Sequence, residues 1–281
     1  MRFVDLLHRW TGGLLGLLLA MLGLSGAILV HKDAWVLLPH ARDAQVQDLG
    51  VVVGSVERLM AGSPPPSSIT FASRDFGLHR LRFTGEAGAY ADQAGALVAR
   101  WGSKWERPEL WLFDLHHYLL AGETGALVAG WVALIGLGFV VTGLILWWTR
   151  RRMFEFRLWP ARMDRPGMIR QHRDFGVVFA PLLTLSLLTG AMLTLRPVAD
   201  LLLTPWGSSA ELRASLAAPQ AKGGAPAQQL NWTQILGEAR RRFPGAEFRV
   251  LSLPQKPGGL ISIRMRQPAE WLPNGLSLIH I

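Results

Sequence analysis

The pattern of hydrophobic positions is dominated by three long runs without a charged side chain, Trp10–Val30, Thr124–Thr149 and Phe175–Leu195. Each run has at least 21 residues, and an apolar helix of about 20 residues crosses the ~30 Å hydrocarbon core of a bilayer. The three runs therefore predict transmembrane helices. The first is too long for the apolar part of a signal peptide, and no small-residue cleavage pattern follows Val30, so we interpret it as a retained signal anchor.

The segments after the first and third runs have the shorter periodicities of soluble α+β modules. Residues 34–109 are interrupted by prolines at 64–66, and residues 198–229 have the Ala, Gly, Pro, Ser and Gln content of a linker. The predicted elements are strands at Ile69–Phe71 and Leu81–Phe83, a hairpin over Tyr90–Leu97, a helix capped by Asn231 that runs to Arg242, and strands at Glu247–Leu253 and Ile261–Met265.

The distribution of arginine predicts the orientation of the helices. Residues 150–173 contain eight arginines between the second and third runs, and short basic loops stay in the cytoplasm. The N-terminus, with Arg2 and Arg9, then also lies inside, and residues 32–123 and those after Arg196 lie outside. Most of the net charge of +9 is therefore a topology signal, which argues against nucleic acid as a partner.

Composition agrees with a membrane protein, since half of the residues are hydrophobic and 17% are charged. We predict an α-helical transmembrane bundle with outer α+β modules. The predicted divisions are 1–33 (first helix, cytoplasmic N-terminus), 34–109 (outer module), 110–152 (histidine-containing segment and second helix), 153–171 (Arg-rich cytoplasmic loop), 172–197 (third helix), 198–229 (outer linker), 230–275 (second outer module) and 276–281 (tail).

An internal repeat relates the first and third helices. A shift of 164 residues aligns His8–Leu29 with His172–Leu193 without a gap, and nine of the 22 positions are identical. Because both copies run in the same direction through the membrane, His8 and His172 are expected at the same depth near the cytoplasmic face. The repeated helices contain Ser25-Gly26 and Thr189-Gly190 near their ends. The second helix has a similar pair at Thr142-Gly143, and glycine at such a position permits close helix packing.

The repeated histidines are candidate ligands of b-type haem, which takes one imidazole from each of two helices and a flat slot with apolar walls. Four residues after each histidine, Gly12 and Gly176 occupy the same helical face and would leave room for the macrocycle. The chain has no cysteine, which excludes thiolate-bound zinc, iron–sulfur clusters and covalently attached c-type haem. Arg9 and Arg173, beside the two histidines, are candidate partners of haem propionates.

A second haem is predicted more weakly at the outer end of the bundle. His31 follows His8 by 23 residues, or roughly 34 Å of helix, and His116 precedes the second helix on the same side. The adjacent His117 points about 100° away from His116 on a helix, so both cannot bind one iron. For every one of these histidines the alternative is a capping or snorkelling side chain at a helix end. His40 and His79 are interpreted as surface residues.

Four segments resemble the PepSY-associated transmembrane proteins, also described as iron-regulated membrane proteins. These segments are Leu7–Gly12, Leu115–Gly122, Thr142–Trp148 and His172–Gly176, with Phe243–Pro254 similar to the helix-to-strand junction of a PepSY module. The resemblance implies PepSY-like outer modules and haem-dependent reduction of periplasmic ferric siderophores, with His8, His116 and His172 at the histidine positions of the family. His117 stands where arginine is more usual.

The resemblance also implies four transmembrane helices, of which this sequence contains three. The final hexapeptide, Leu276–Ile281, looks like the translation of a sequencing adapter, and we expect that the fourth helix was lost by truncation of the gene sequence. On that expectation His280 is not a native ligand.

The sequence thus predicts a haem-b protein of the bacterial inner membrane, with one or two haems, that reduces periplasmic ferric siderophores. It contains no flavin or dinucleotide motif, so a separate cytoplasmic or membrane electron donor is expected. The catalytic residues remain unknown. The alternative function is a non-catalytic, membrane-anchored PepSY scaffold that binds peptides or regulates a protease.

Overall fold

The computed structural model describes residues 1–208, 210, 211, 214, 230–254, 259–275 and 277–280. Most of the predicted linker lies outside the described residues. The helices are α1 Arg2–Val30, α2 Lys32–Trp35, α3 Leu49–Met60, α4 Pro108–Tyr118, α5 Gly122–Trp148, α6 Arg165–Thr194, α7 Arg196–Leu203 and α8 Trp232–Arg242. The strands are β1 Ser68–Thr70, β2 His79–Arg82, β3 Gly88–Ala91, β4 Leu97–Trp101, β5 Glu247–Ser252, β6 Ser262–Arg266 and β7 Ser277–His280.

The chain forms two compact units. The helical unit consists of Met1–Val30 and Trp111–Ser215, and the sheet unit consists of His31–Leu110 and Leu216–Ile281. The three predicted transmembrane helices are confirmed as α1, α5 and α6, which are long and apolar enough to span a bilayer. Each continues beyond its uncharged run because the polar residues at its ends still form helical hydrogen bonds. The predicted linker begins within a helix, since α7 covers Arg196–Leu203.

In the helical unit α5 packs against both α1 and α6, whereas α1 and α6 scarcely contact each other. Small residues allow this packing: a methyl group at Gly136 of α5 would lie 3.1 Å from Leu187 of α6 and 3.5 Å from Leu19 of α1. Large apolar side chains point away from these contacts, with Leu17 82% and Leu193 84% exposed. Such exposed apolar surface is typical of lipid-facing helices.

The sheet unit contains one seven-stranded antiparallel sheet in the order β4-β3-β2-β1-β5-β6-β7. β1 pairs with β5, so Ile69 lies opposite Leu251. Two helices cover one face: α3, capped by Asp48, and α8, capped by Asn231 as predicted. The sequence predicted two separate modules in this part of the chain, but the structure gives them one sheet, and the main apolar core contains residues from both. The reason is that in two separate modules β1 and β5 would each be an edge strand with one side unpaired.

Of the two histidines interpreted as surface residues, His40 is exposed as predicted, but the interpretation of His79 is wrong. His79 is 3% exposed, its Nδ1 accepts a hydrogen bond from the Ala72 amide at 2.9 Å, and its ring lies edge-on to Phe71. Leu81, two residues later, is also in the core, so His79 occupies a core position by the alternation of the strand.

We expect the stability of the sheet unit to fall in acid because of His79. Burial lowers the pKa of this histidine from 6.5 to about 4, with a smaller opposing effect of Asp92. The unfolded state therefore binds more protons between those values, so stability is full above pH 6.5 and is lost progressively towards pH 4, by about 3 kcal/mol. Hydrogen exchange at β1 and β2 in the full-length protein measures this loss.

The matched variant is His79→Asn, whose side-chain oxygen can accept the same amide hydrogen bond but does not titrate. Its exchange rates should show a smaller acceleration between pH 6.5 and 4, after correction for intrinsic exchange. Equal acid sensitivity in the parent and the variant would assign the loss to other groups.

Candidate functional site

His8 and His172 lie beside each other at the N-terminal ends of α1 and α6. The centres of their rings are 6.4 Å apart and the ring planes are inclined at 51°. Two imidazoles on opposite sides of one metal ion have ring centres ~6 Å apart, given a metal–nitrogen bond of about 2.0 Å and a ring radius of about 1.1 Å. The spacing of the two rings is therefore suited to sharing one iron.

A hydrogen bond to α5 fixes the orientation of His8. Its Nδ1 lies 2.9 Å from the Thr142 hydroxyl, and that hydroxyl lies 2.9 Å from the Gly138 carbonyl. Because a threonine hydroxyl has one proton and the carbonyl can only accept, the hydroxyl donates to Gly138 and accepts from His8. Nδ1 then carries the ring proton and Nε2 keeps its lone pair, which is the form that binds a metal ion.

The space beside the two histidines is open. A methyl group at Gly12 or Gly176 would have no neighbouring atom within 4 Å in the described part of the chain. On α6 an open depression of about 380 Å³ is lined by His172, Phe175, Gly176 and Phe179, among others. The predicted flat slot is compatible with this geometry, and its occupant stays a prediction.

The two candidate arginines differ in their partners. Arg9 is exposed and pairs with Asp5 at 3.1 Å. Arg173 makes two hydrogen bonds to Asp174, at 2.7 and 2.9 Å, and a third to the Met153 carbonyl at 2.9 Å. Asp174 is only 2% exposed, and the sequence analysis assigned it no role. Arg173 is thus engaged in a buried ion pair, and Arg9 is the more available cation.

His116, on α4, is held against α1 in much the same manner as His8 is held against α5. Its Nδ1 lies 3.0 Å from the Leu22 carbonyl and 3.1 Å from the Ser25 hydroxyl. Because a carbonyl can only accept, Nδ1 carries the proton and Nε2 keeps its lone pair. A methyl group at Gly26 would lie 2.7 Å from the His116 ring, so only glycine admits the imidazole at this distance.

A hydroxyl followed by glycine thus receives an imidazole at two places. Ser25-Gly26 contacts His116, and Thr142-Gly143 contacts His8, whose Cε1 would lie 3.3 Å from a methyl group at Gly143. From the sequence, these pairs were predicted only to be helix-packing motifs. Their recurrence in the three apolar runs was the signal that could have revealed the second role. In the third pair, Thr189-Gly190, the hydroxyl donates to the Leu185 carbonyl at 2.8 Å.

The remaining outer histidines, His31 and His117, make no contact within the described residues that indicates a shared metal ion. His31 follows the last residue of α1, has an exposed side chain and belongs to the sheet unit, so its pairing with His116 stays a prediction. His117 stacks on Phe113 with 4.2 Å between ring centres, and burial lowers its pKa, with a further contribution from His116. Among the described residues no group of three or more histidine or acidic side chains forms a metal site.

We expect Thr142→Val to weaken metal or haem binding at His8 by about 10- to 100-fold, the usual effect of removing a hydrogen bond that orients a ligating histidine. Valine keeps the shape of threonine, so the packing of α5 should persist. Titration of haem into the full-length protein measures the affinity. Thr189→Val is the matched control, since it removes a similar hydroxyl that contacts no histidine, and equal losses in both variants would contradict a specific role for Thr142.

A family model described as "PepSY-associated TM region" matches residues 6–272. A search of curated proteins found no match to the chain.

Proposed function

This chain belongs to the family of PepSY-associated transmembrane proteins, and from that premise we propose that it carries haem b and reduces ferric siderophores on the outer side of the bacterial inner membrane. The observation that carries the proposal is the 6.4 Å separation of the His8 and His172 rings. Two histidines on different transmembrane helices, at the spacing of two axial ligands, are hard to explain as independent capping residues.

The residues around this pair fit b-type haem. His8 presents its Nε2 because Thr142 holds its Nδ1, and Phe139 lies edge-on to the His8 ring at 5.9 Å between centres. Gly12 and Gly176 leave the neighbouring space open. Haem iron held by two histidines changes between the ferrous and ferric states and so transfers single electrons. We assign His8 and His172 as the residues that would hold the haem iron.

The chain itself would orient the ligands and limit the access of water. Thr142 fixes the plane of the His8 ring, and the apolar side chains of α5 and α6 lower the polarity around it. Of the two arginines, we expect Arg9 to contact a propionate, because Arg173 is already neutralised by Asp174. The outer position would use His116, with either His31 or a histidine of the expected fourth helix as its proposed partner.

The proposed substrate is a ferric siderophore outside the membrane. One electron converts the chelated Fe(III) to Fe(II), and oxygen-rich chelators bind Fe(II) far less tightly, so the iron is released. The electron would come from a separate donor in the cytoplasm or the membrane. This direction of transfer follows from the proposed orientation, with the N-terminus and the Arg-rich loop inside.

The test uses purified full-length protein in lipid nanodiscs. We expect the Soret band of the oxidised protein to shift on reduction with dithionite. After removal of the reductant, addition of a ferric siderophore should return the band to its oxidised position. A ferrous-specific dye should then report one Fe(II) for each electron lost. The iron-free siderophore is the control and should leave the reduced spectrum unchanged.

A protein that binds no haem, or whose reduced spectrum does not respond to the ferric chelate, would contradict the proposed function. Retention of cellular function after replacement of both His8 and His172 would favour the scaffold function instead.

A further inference from the structure

Over β1, β2, β5 and β6, the face of the sheet opposite α3 and α8 is polar and basic, whereas Tyr90 on β3 and Trp101 on β4 belong to a small apolar cluster on that face. Ile69, Leu81, Leu251 and Ile263 are each at most 1% exposed and belong to the core face. Their neighbours along the strands therefore lie on the opposite face. These neighbours are Ser68 and Thr70 on β1, Arg80 and Arg82 on β2, Val250 and Ser252 on β5, and Ser262 and Arg264 on β6.

The register of the sheet arranges these side chains in rows. One row contains Arg82, Ser68, Ser252 and Ser262, because each residue is paired with the next across the strands. The Ser68 and Ser252 hydroxyls lie 3.4 Å apart. In the adjacent row, Arg80 and Arg264 are separated by three strand spacings, or about 14 Å, and the row continues to Tyr90 on β3 and Leu278 on β7. Hydroxyl groups thus occupy the middle of the face and arginines its two sides.

None of these arginines pairs with a carboxylate of the described residues. In the described part of the chain, Arg80, Arg82 and Arg264 form no ion pair, and the buried Nε of Arg80 has no hydrogen-bond acceptor. Glu109 pairs instead with Arg107 at 2.8 Å, and Glu247 pairs with Arg74 at 3.1 Å. A buried donor without an acceptor is unfavourable, so this face is complementary to an anion.

We infer that this face, which we call the Arg-Ser face, binds a small polyanionic ligand rich in oxygen acceptors, and that within the proposed function the ligand is an anionic ferric chelate. Guanidinium groups bind carboxylate and catecholate oxygens through paired hydrogen bonds. The hydroxyl row supplies further donors to the same ligand. A span of about 14 Å between arginines suits a compact chelate whose anionic oxygens face outward in several directions.

The experiment measures binding to the full-length protein in nanodiscs of uncharged lipid, without a reductant. The probes are a hexadentate ferric tricatecholate, which is trianionic, and a hexadentate ferric trihydroxamate, which is uncharged. We expect the trianionic chelate to bind at least tenfold more tightly, and its affinity to fall with added salt. The double variant Arg82→Ala/Arg264→Ala should bind it at least tenfold more weakly than the parent.

The matched control is Arg58→Ala, which removes an exposed arginine from α3 on the other side of the sheet and should leave the affinity unchanged. Arg82→Lys/Arg264→Lys, which keeps the charge but not the paired hydrogen bonds, should give an intermediate affinity. Equal binding of the two chelates, or equal losses in the double variant and the control, would overturn the inference. So would a double variant that retains chelate binding but loses binding to vesicles of anionic lipid.

The inference rests on the proposed function only for the identity of the ligand, and the two can fail separately. Chelate binding needs no haem, so His8→Ala should bind the tricatecholate as the parent does. Haem loading and reduction of an uncharged chelate should in turn survive in the double variant. Unchanged tricatecholate binding in the double variant, with reduction intact in the parent, would refute the Arg-Ser face alone.

Discussion

Replacement of either His8 or His172 by alanine should remove one haem per chain from the purified protein. The two rings are 6.4 Å apart, and on our proposal they hold the same iron from opposite sides. Loss of one ligand should therefore release the same haem as loss of the other. Quantification of haem per protein, together with the spectrum of the bis-histidine form, measures the effect.

The pattern across variants separates a shared site from two independent ones. The double variant should lose no more haem than either single variant, because both residues serve one iron. His40→Asn is the control, since His40 is an exposed histidine with a positive φ of 64° that asparagine tolerates. Retention of the parental haem content in either single variant would contradict a shared iron.

Replacement of Asp174 by alanine should destabilise the helical unit by about 3–5 kcal/mol, which is the usual cost of leaving a buried charge without its partner. Asp174 is 2% exposed and receives two hydrogen bonds from Arg173. Without this carboxylate, the Arg173 guanidinium would remain partly buried with only the Met153 carbonyl as an acceptor. Unfolding of the full-length protein in mixed micelles of increasing denaturing detergent measures the loss.

A second variant distinguishes a lost ion pair from a simple packing defect. Arg173→Met/Asp174→Leu removes both charges and retains apolar volume, so it should recover most of the stability lost in Asp174→Ala. Glu155→Ala is the surface control, since its ion pair with Arg157 is half-exposed and such pairs contribute at most about 1 kcal/mol. A double variant as unstable as Asp174→Ala would show that the charges are not the cause.

The helical unit was largely predictable because its signals are local. An uncharged run determines a membrane-spanning helix through its length alone, and the repeat of His8 at His172 indicated that the two residues share a depth. The hydrogen bond from His8 to Thr142 was not predictable, since 134 residues separate them and the helix rotation that joins them depends on packing. The pairing of Arg173 with Asp174, rather than with a ligand, likewise needed the structure.

In the sheet unit, individual elements were predicted better than their arrangement. The predicted helix from Asn231 to Arg242 and the strand beginning at Glu247 agree with α8 and β5. Helix α3 was missed, although Asp48 caps it and buried valines at 52, 53 and 56 follow a helical period. The pairing of β1 with β5 has no local signal because it joins residues about 180 positions apart.

That pairing constrains the biosynthesis of the protein. β1 is translated long before β5, and the chain between them includes α5 and α6. Both strands must be delivered to one side of the bilayer, which requires an even number of crossings in between and agrees with two spans there. Until β5 emerges, β1 has an unpaired edge that can associate with the wrong strand. A nascent chain would therefore most need a chaperone after the first half of the sheet unit has been made and before β5 is available.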